Sequence, residues 1–363
     1  MASKVLMVPV VLAILTRLFV MFAMKETHYF TVPSQAGKLI VVTGANSGLG
    51  LSTAKILAAD EAGADVIMAC RSMQRCEAAR SSIAKEGSAA HMRLHCHELD
   101  LTSFASIRSF VQVIEDKYLH VQDSTQPRRY IDTLVNNAGI MAVPEGATED
   151  GFELQVGTNH LGHFLLTGLC IPHMHSEKKS SPAAVGSGSR VVMHSSIAAI
   201  AGGDFPTDYQ WKRAKASGSY SPWKEYGHSK RANLYMAWEL QSRLRTSGSS
   251  IDVVAAHPGY TSTNLQRDVI PGWEFQNWAF AMESDAGAQS QLLAATTTDS
   301  QYFLSSDGSG DPILIGPKFA GFGSASRWGV GLYTLWEAEG ERLSKQKKLW
   351  EDSVRLTGVM GDL

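Results

Sequence analysis

The stretch "KLIVVTGANSGLGLSTAKILAA", residues 38–59, decides the fold. A β-branched run over 38–43 passes directly into a turn holding Gly44, Gly48 and Gly50, and an apolar-periodic run follows from Leu49. At such a strand-to-helix turn, missing side chains let backbone N–H groups approach a pyrophosphate at the N-terminus of the helix. The spacing is GxxxGxG rather than the usual GxGxxG, but a preceding strand and a following helix are the setting the chemistry needs. Gly44, Asn46, Ser47, Gly48, Leu49 and Gly50 are therefore the candidate phosphate-turn residues.

Outward from this turn, short apolar runs alternate with longer helical stretches, the pattern of βαβ units on a parallel sheet. Strands are expected over 38–43, 65–70, 91–99, 131–136, 190–195 and 251–257, and near-continuous apolar runs suit strands buried on both faces. Helices are expected near 49–59, 71–85, 103–117, 151–170 and 226–245. The expected class is α/β, a doubly wound parallel sheet of the Rossmann type. One catalytic domain would span 38–363, behind a hydrophobic segment within 1–37. The connection at 176–189 is Ser/Gly-rich and reads as a solvated loop. The region 264–330, with Trp273, Phe275, Trp278, Phe280, Phe319 and Phe322, reads either as an aromatic cover over a pocket or as ordinary packing.

About twenty residues beyond the glycine turn, where a carboxylate would bond the ribose 2′-hydroxyl of NAD, the second strand ends at Cys70 and Arg71 follows. An arginine there can pair with the 2′-phosphate of NADP through a charge-assisted fork, so NADP(H) is the expected cofactor. Further along, "YGHSK" sets Tyr226 and Lys230 four residues apart, on one face of a helix. A phenol titrates near pH 10, and a neighbouring ammonium favours its ionised form, which eases proton exchange at neutral pH.

The whole chain has 363 residues, 33 Lys plus Arg against 35 Asp plus Glu, and a net charge of -2, so no basic excess favours nucleic acid. With 44% hydrophobic and 19% charged residues the chain can bury a full core. The four cysteines, Cys70, Cys76, Cys96 and Cys170, show no CxxC pair, so neither a disulfide framework nor a structural zinc site is expected and a reducing environment fits. No metal is expected at "HMRLHCHELD" either, because a strand would send His95 and His97 to one face and Cys96 to the other. Cys70 and Cys170 read as small buried apolar residues, and His160 and His163 as packing or hydrogen-bonding residues.

From Lys38 onward the sequence resembles the short-chain dehydrogenase/reductase family. "TGANSGLG", "NNAG" (136–139), "TNHLGHF" (158–164), "VVMHSS" (191–196), "YGHSK" and "HPG" (257–259) occur in that family's order. The resemblance implies that Tyr226 exchanges a proton with the substrate oxygen, that Lys230 tunes it and binds the nicotinamide ribose, that Ser196 holds the carbonyl, and that Asn159 completes a water-linked proton relay. Ser195 would face the sheet. It also implies Asp100 and Leu101 on the adenine side, Asn136, Ala138 and Gly139 along the central wall, and Pro258, Gly259 and Thr263 at the nicotinamide end.

"VIMACRS", "TEDGFELQVGTNHLGHFLLT", "SPWKEYGHSKRANLYMAWEL" and "LWEDSVRLTG" are similar to the retinol-dehydrogenase-like branch and its relative protochlorophyllide reductase. The latter carries a cysteine two residues after the active-site lysine, where this chain has Ala232. The reading is an NADP(H)-dependent oxidoreductase interconverting a carbonyl and an alcohol on a lipophilic substrate of retinoid, steroid or lipid-aldehyde type. Protochlorophyllide-type C=C reduction is the first alternative, and a non-catalytic NADP(H)-binding scaffold or redox sensor the second.

Residues 5–24 are apolar apart from Pro9, Thr16 and Arg17, about the twenty a bilayer-spanning helix requires. They read as a membrane anchor, with the endoplasmic reticulum as the expected site, or as a leader cleaved on import into an organelle. Oligomeric state stays open: the family often associates through its crossover helices, whereas an anchored member can be monomeric.

Overall fold

The computed structural model describes residues 29–119, 129–176, 188–202, 220–263, 281–299, 314–319, 322–328 and 338–363, with Leu18 and Leu265 standing alone. Its strands are β1 (Leu39–Thr43), β2 (Asp65–Cys70), β3 (Leu94–Glu98), β4 (Thr133–Asn136), β5 (Arg190–His194), β6 (Asp252–Ala256), β7 (Leu314–Phe319) and β8 (Phe322–Trp328). They form one sheet in the order β3-β2-β1-β4-β5-β6-β7-β8. Every neighbouring pair is parallel except β7 with β8. The chain order reverses between β1 and β4, the switch point at which a crevice opens beyond the carboxyl ends of the strands.

Helices α1 (Gly48–Ala58), α2 (Met73–Lys85) and α6 (Ser284–Thr296) belong to one side of the sheet, and α3 (Phe104–Ile114), α4 (Gly162–Cys170), α5 (Pro222–Thr246) and α7 (Glu339–Thr357) to the other. Two cores result. In β1, Leu39 and Val41 enter the core under α3, α4 and α5, while Ile40 and Val42 enter the one under α1 and α2. Side chains alternate across a strand, so a strand covered on both faces must be apolar at every position. Burying four such residues in β1 removes each of them from water, a gain on the order of 1.5–3 kcal/mol per side chain against which chain entropy is set.

The six expected strands are all present, within three residues at their ends. Several expectations are corrected. The third strand begins at Leu94, because Ala89–Arg93 forms a 3₁₀ turn. The helix expected over 151–170 starts at Leu154, where the Glu153 side chain caps the backbone N–H groups of Gln155 and Val156 at 3.0 and 2.7 Å, and it passes through a π turn at Gly157–Leu161. The four cysteines are not all thiols. Cys76 of α2 and Cys96 of β3 form a disulfide with Cα atoms 5.9 Å apart. The alternation that sends His95 and His97 to Tyr118 is what turns Cys96 toward α2; spacing along the sequence does not reveal a pairing made by a βα neighbour. Cys70 and Cys170 are free and buried.

Residues 5–24 apart from Leu18, and Trp273, Phe275, Trp278 and Phe280, lie outside the described residues. Among the described residues no helix is long and apolar enough to cross a membrane, and no group of His, Cys, Asp and Glu could hold a metal ion.

Candidate active site

The glycine turn leaves β1 and enters α1 through a backbone that other residues would strain. Gly44 has φ +68, and a Cβ there would stand 3.0 Å from Ala138. At Gly50 a Cβ would stand 2.5 Å from the Gly44 carbonyl oxygen and 2.6 Å from Asn137 Nδ2. Ser47, exposed at the N-cap of α1, makes no side-chain cap bond. Ala45 and Asn46 give backbone N–H bonds to the Cys70 sulfur, whose thiol burial pushes up to about 12, so the turn is tied to the end of β2. Leu49 points into the core below.

The other walls close on the same crevice. Asn137 donates from Nδ2 to the Thr43 carbonyl at 2.8 Å, and the Ala138 N–H donates to Thr43 Oγ1 at 2.9 Å. Gly139 is flush with the floor: a Cβ there would lie 3.3 Å from both Asn159 Oδ1 and Lys230 Nζ. Beyond β6, Pro258 and Gly259 begin a segment that brings Thr263 against the glycine turn, with Thr263 Cγ2 3.3 Å from where a Gly48 Cβ would be. Asp100 accepts from the Thr102 N–H and hydroxyl at 2.9 and 2.8 Å, which fixes the turn after β3, and Leu101 is buried beneath it. Arg71 is exposed at the end of β2, and Arg75 lies one turn along in α2, exposed as well. Asn136 is different. Its amide is turned into the core toward Thr167 Oγ1 and Met193 Sδ, both at 2.9 Å, so its side chain braces β4 instead of lining the crevice.

Tyr226, Lys230, Ser196 and Asn159 meet where β4, β5 and α5 converge. Lys230 is buried and donates from Nζ to the His194 carbonyl at 3.3 Å, with Nζ 5.8 Å from the Tyr226 ring centre. Burial pushes the Lys230 pKa down to about 8. Tyr226 is buried too, and its pKa is pushed up to about 12, the hydrogen bond with Ser196 opposing the rise. In this pocket desolvation raises the phenol and the Ser196 hydrogen bond pulls the other way. Ser196 Oγ also accepts the Ala198 N–H at 3.2 Å. Ser195 does not reach the crevice; its hydroxyl donates to the Lys230 carbonyl at 2.8 Å and fastens β5 to α5.

Asn159, in the π turn, is fully buried and bonds in three directions. Its Oδ1 accepts the Ile140 N–H at 2.9 Å, and its Nδ2 donates to the Ile140 carbonyl and to Ser229 Oγ, each at 2.9 Å. Ser229 in turn donates to the Tyr226 carbonyl at 2.8 Å. Thr43, Asn137 and Ser229 were not singled out from the sequence, although each sits inside a quoted motif; the partners that tie them into the site lie 70 to 120 positions away. A nicotinamide dinucleotide suits this crevice, since the glycine turn leads into the N-terminus of α1, where backbone N–H groups can meet a pyrophosphate.

A family model described as short chain dehydrogenase matches residues 38–209. Retinol dehydrogenase 13 from Homo sapiens is 36% identical over 332 residues, covering 90% of this chain and 87% of that protein. The chain belongs to the short-chain dehydrogenase family. Within it the chain falls in the retinol-dehydrogenase-like branch. Polyprenol dehydrogenase from Mus musculus is 33% identical over 342 residues, covering 91% of this short-chain dehydrogenase and 87% of that protein. A solved structure from Mycobacterium Paratuberculosis, 35% identical, superposes with a TM-score of 0.64 over 92% of this chain and 98% of that one. The family is one of nicotinamide-dependent oxidoreductases, so this short-chain dehydrogenase is an enzyme.

Proposed function

We propose that the protein reduces the carbonyl of a lipophilic aldehyde or ketone to the alcohol with NADPH, and runs the reverse reaction when products dominate. The observation that carries this reading is the meeting of Tyr226, Ser196, Lys230 and Asn159 beside a glycine-lined crevice. NADPH supplies the hydride for the carbonyl carbon when bound. Tyr226 gives its phenolic proton to the carbonyl oxygen as that oxygen gains charge, and Ser196 donates a hydrogen bond to the same atom. A phenol pushed up to about 12 holds its proton at neutral pH, which suits a donor. Lys230, mostly protonated below about 8, stands where it can hold a ribose hydroxyl and return a proton toward Tyr226. Asn159 links Lys230's neighbourhood to the backbone of Ile140 and so supports the relay.

Arg71 and Arg75, at the start of α2, present two cations to the 2′-phosphate that distinguishes NADPH from NADH. For the substrate, two large apolar side chains remain exposed next to the reacting residues: Ile197, beside Ser196, at 44%, and Trp223 at 49%. Trp223 stands edge-on to Tyr226, ring centres 6.4 Å apart. Such a rim offers a surface to an apolar chain. Similarity to proteins named retinol and polyprenol dehydrogenase supports the same class. Residues 5–24 would hold the enzyme at a membrane in which that substrate dissolves.

The test is turnover by the full chain of a panel of retinal, steroid ketones, long-chain aldehydes and short water-soluble aldehydes, each with NADPH and NADH. NADPH-dependent reduction favouring the apolar carbonyls is expected. NADPH binding without reduction of any carbonyl would favour the sensor reading.

A further inference from the structure

His163 lies on α4, four residues after Asn159, and is fully buried among groups that never meet solvent. Its Nδ1 is 2.8 Å from the Asn159 carbonyl oxygen, and its Nε2 is 3.0 Å from Thr43 Oγ1. A carbonyl only accepts, so Nδ1 carries the ring proton and Nε2 is left to accept from the threonine hydroxyl. The second acceptor near that hydroxyl, the Val135 carbonyl at 3.4 Å, is farther away. Thr43 Oγ1 meanwhile accepts the Ala138 N–H at 2.9 Å.

The bonds form one directed chain. It runs from the Ala138 N–H through the Thr43 hydroxyl and the His163 ring to the Asn159 carbonyl, and from the Asn159 amide through Ser229 to the Tyr226 carbonyl. Thr43 immediately precedes the glycine turn, so the last residue of β1 is linked through Asn159 to the backbone of Tyr226. Burial pushes the His163 pKa down to about 4, the Asn159 bond opposing and the nearby Lys230 charge adding to the fall.

We infer that His163, with its proton on Nδ1, is a positioning residue that holds the Asn159 carbonyl, and with it the Asn159 turn, in place for the relay, while Thr43 orients the ring. The inference rests on the reading of Asn159 as part of the proton relay. It differs from the role of an ordinary packed histidine because only one of its two bonds bears on that relay. The Asn159 bond sets the relay; the Thr43 bond secures the other end.

Two substitutions separate the bonds. In His163→Asn the amide Nδ2 takes the place of Nδ1 and keeps the bond to Asn159; in His163→Gln the longer amide reaches toward Thr43 and loses it. Full-length protein is assayed for kcat and for KM of NADPH and of the best carbonyl substrate. Because small misplacements of a relay group cost rate steeply, kcat of the glutamine variant is expected to fall about tenfold or more, and that of the asparagine variant by no more than about threefold, with both KM values little changed. Equal losses in the two variants, no loss in either, or losses confined to KM would overturn the assignment. The ring proton is read separately from ¹⁵N shifts of labelled histidine. A protonated Nδ1 and bare Nε2 are expected, and the opposite tautomer or a charged ring at pH 7 overturns the inference. If the wild type reduces no carbonyl while the tautomer is as expected, the proposed function fails and the hydrogen-bonded geometry stands.

Discussion

Acidification to pH 5.5 should strip this protein of several kcal/mol of stability. His160, His163, His194 and His257 are buried, and burial pushes their pKa values down to about 3, 4, 3 and 4. An unfolded histidine titrates near 6.5. The unfolded chain therefore binds protons below pH 6.5 that the folded one refuses, so the stability present above that pH is lost as pH falls toward about 4. Between pH 7 and 5.5 the linkage is worth about 1.2 kcal/mol per ring, about 5 kcal/mol for the four. Asp132 and Glu153, held above the usual carboxylate range by burial, act in the opposite sense and return part of this as they protonate in the folded state. A net loss of about 3–5 kcal/mol is a large share of a typical folding free energy. Urea unfolding followed by far-ultraviolet circular dichroism at pH 7.0, 6.2 and 5.5 measures it. A loss under about 1 kcal/mol across that range would mean that the rings are protonated or hydrated in the folded protein, and would undo the reasoning.

Three further outcomes follow from the crevice. Arg71→Ala should weaken NADPH about tenfold or more and leave NADH nearly unaffected, since only the 2′-phosphate meets the lost cation; titration of cofactor fluorescence reads both, and equal losses refute the assignment. Trp223→Ala should raise KM for a retinal-like aldehyde about tenfold, the loss of an aromatic contact of roughly 1–2 kcal/mol, while a short aldehyde changes little. If both substrates respond alike, Trp223 does not touch the apolar chain. Gly50→Ala should cost about tenfold or more in NADPH affinity, because the added Cβ meets the Gly44 carbonyl at 2.5 Å and the turn must open. An unchanged Kd would show that the turn yields without harm.

What the sequence disclosed and what it hid follow physical lines. β1, the glycine turn and the buried strands were legible because two-sided burial demands uninterrupted apolar residues, and "KLIVVT" meets that demand. Tyr226 and Lys230 were legible because helical spacing alone puts them on one face. α6 was not read, since Ala286 to Thr296 are buried all round and a helix without a polar face has no period to detect. α7 escaped for the opposite reason: its buried positions include Arg342, Gln346, Asp352 and Ser353, with Arg342 over the Trp238 ring and Ser353 bonded to His160 at 2.9 Å. β7 carries Gly316 and Pro317, which read as loop signals, although at Gly316 a Cβ would strike the His257 ring. The Cys76–Cys96 bond and the Thr43–His163–Asn159 chain depend on neighbours that only the folded sheet brings together.

The central claim is that Tyr226 passes a proton to the substrate oxygen in a site that binds NADPH independently of that step. Tyr226→Phe keeps the ring beside Trp223 and removes only the hydroxyl. Single-turnover reduction of the best carbonyl substrate, followed by loss of NADPH absorbance alongside a direct measurement of NADPH Kd, tests it. A rate lower by about a hundredfold or more with Kd unchanged is the expected result. Reduction at close to the wild-type rate would contradict the account, and so would a loss explained entirely by weaker NADPH binding.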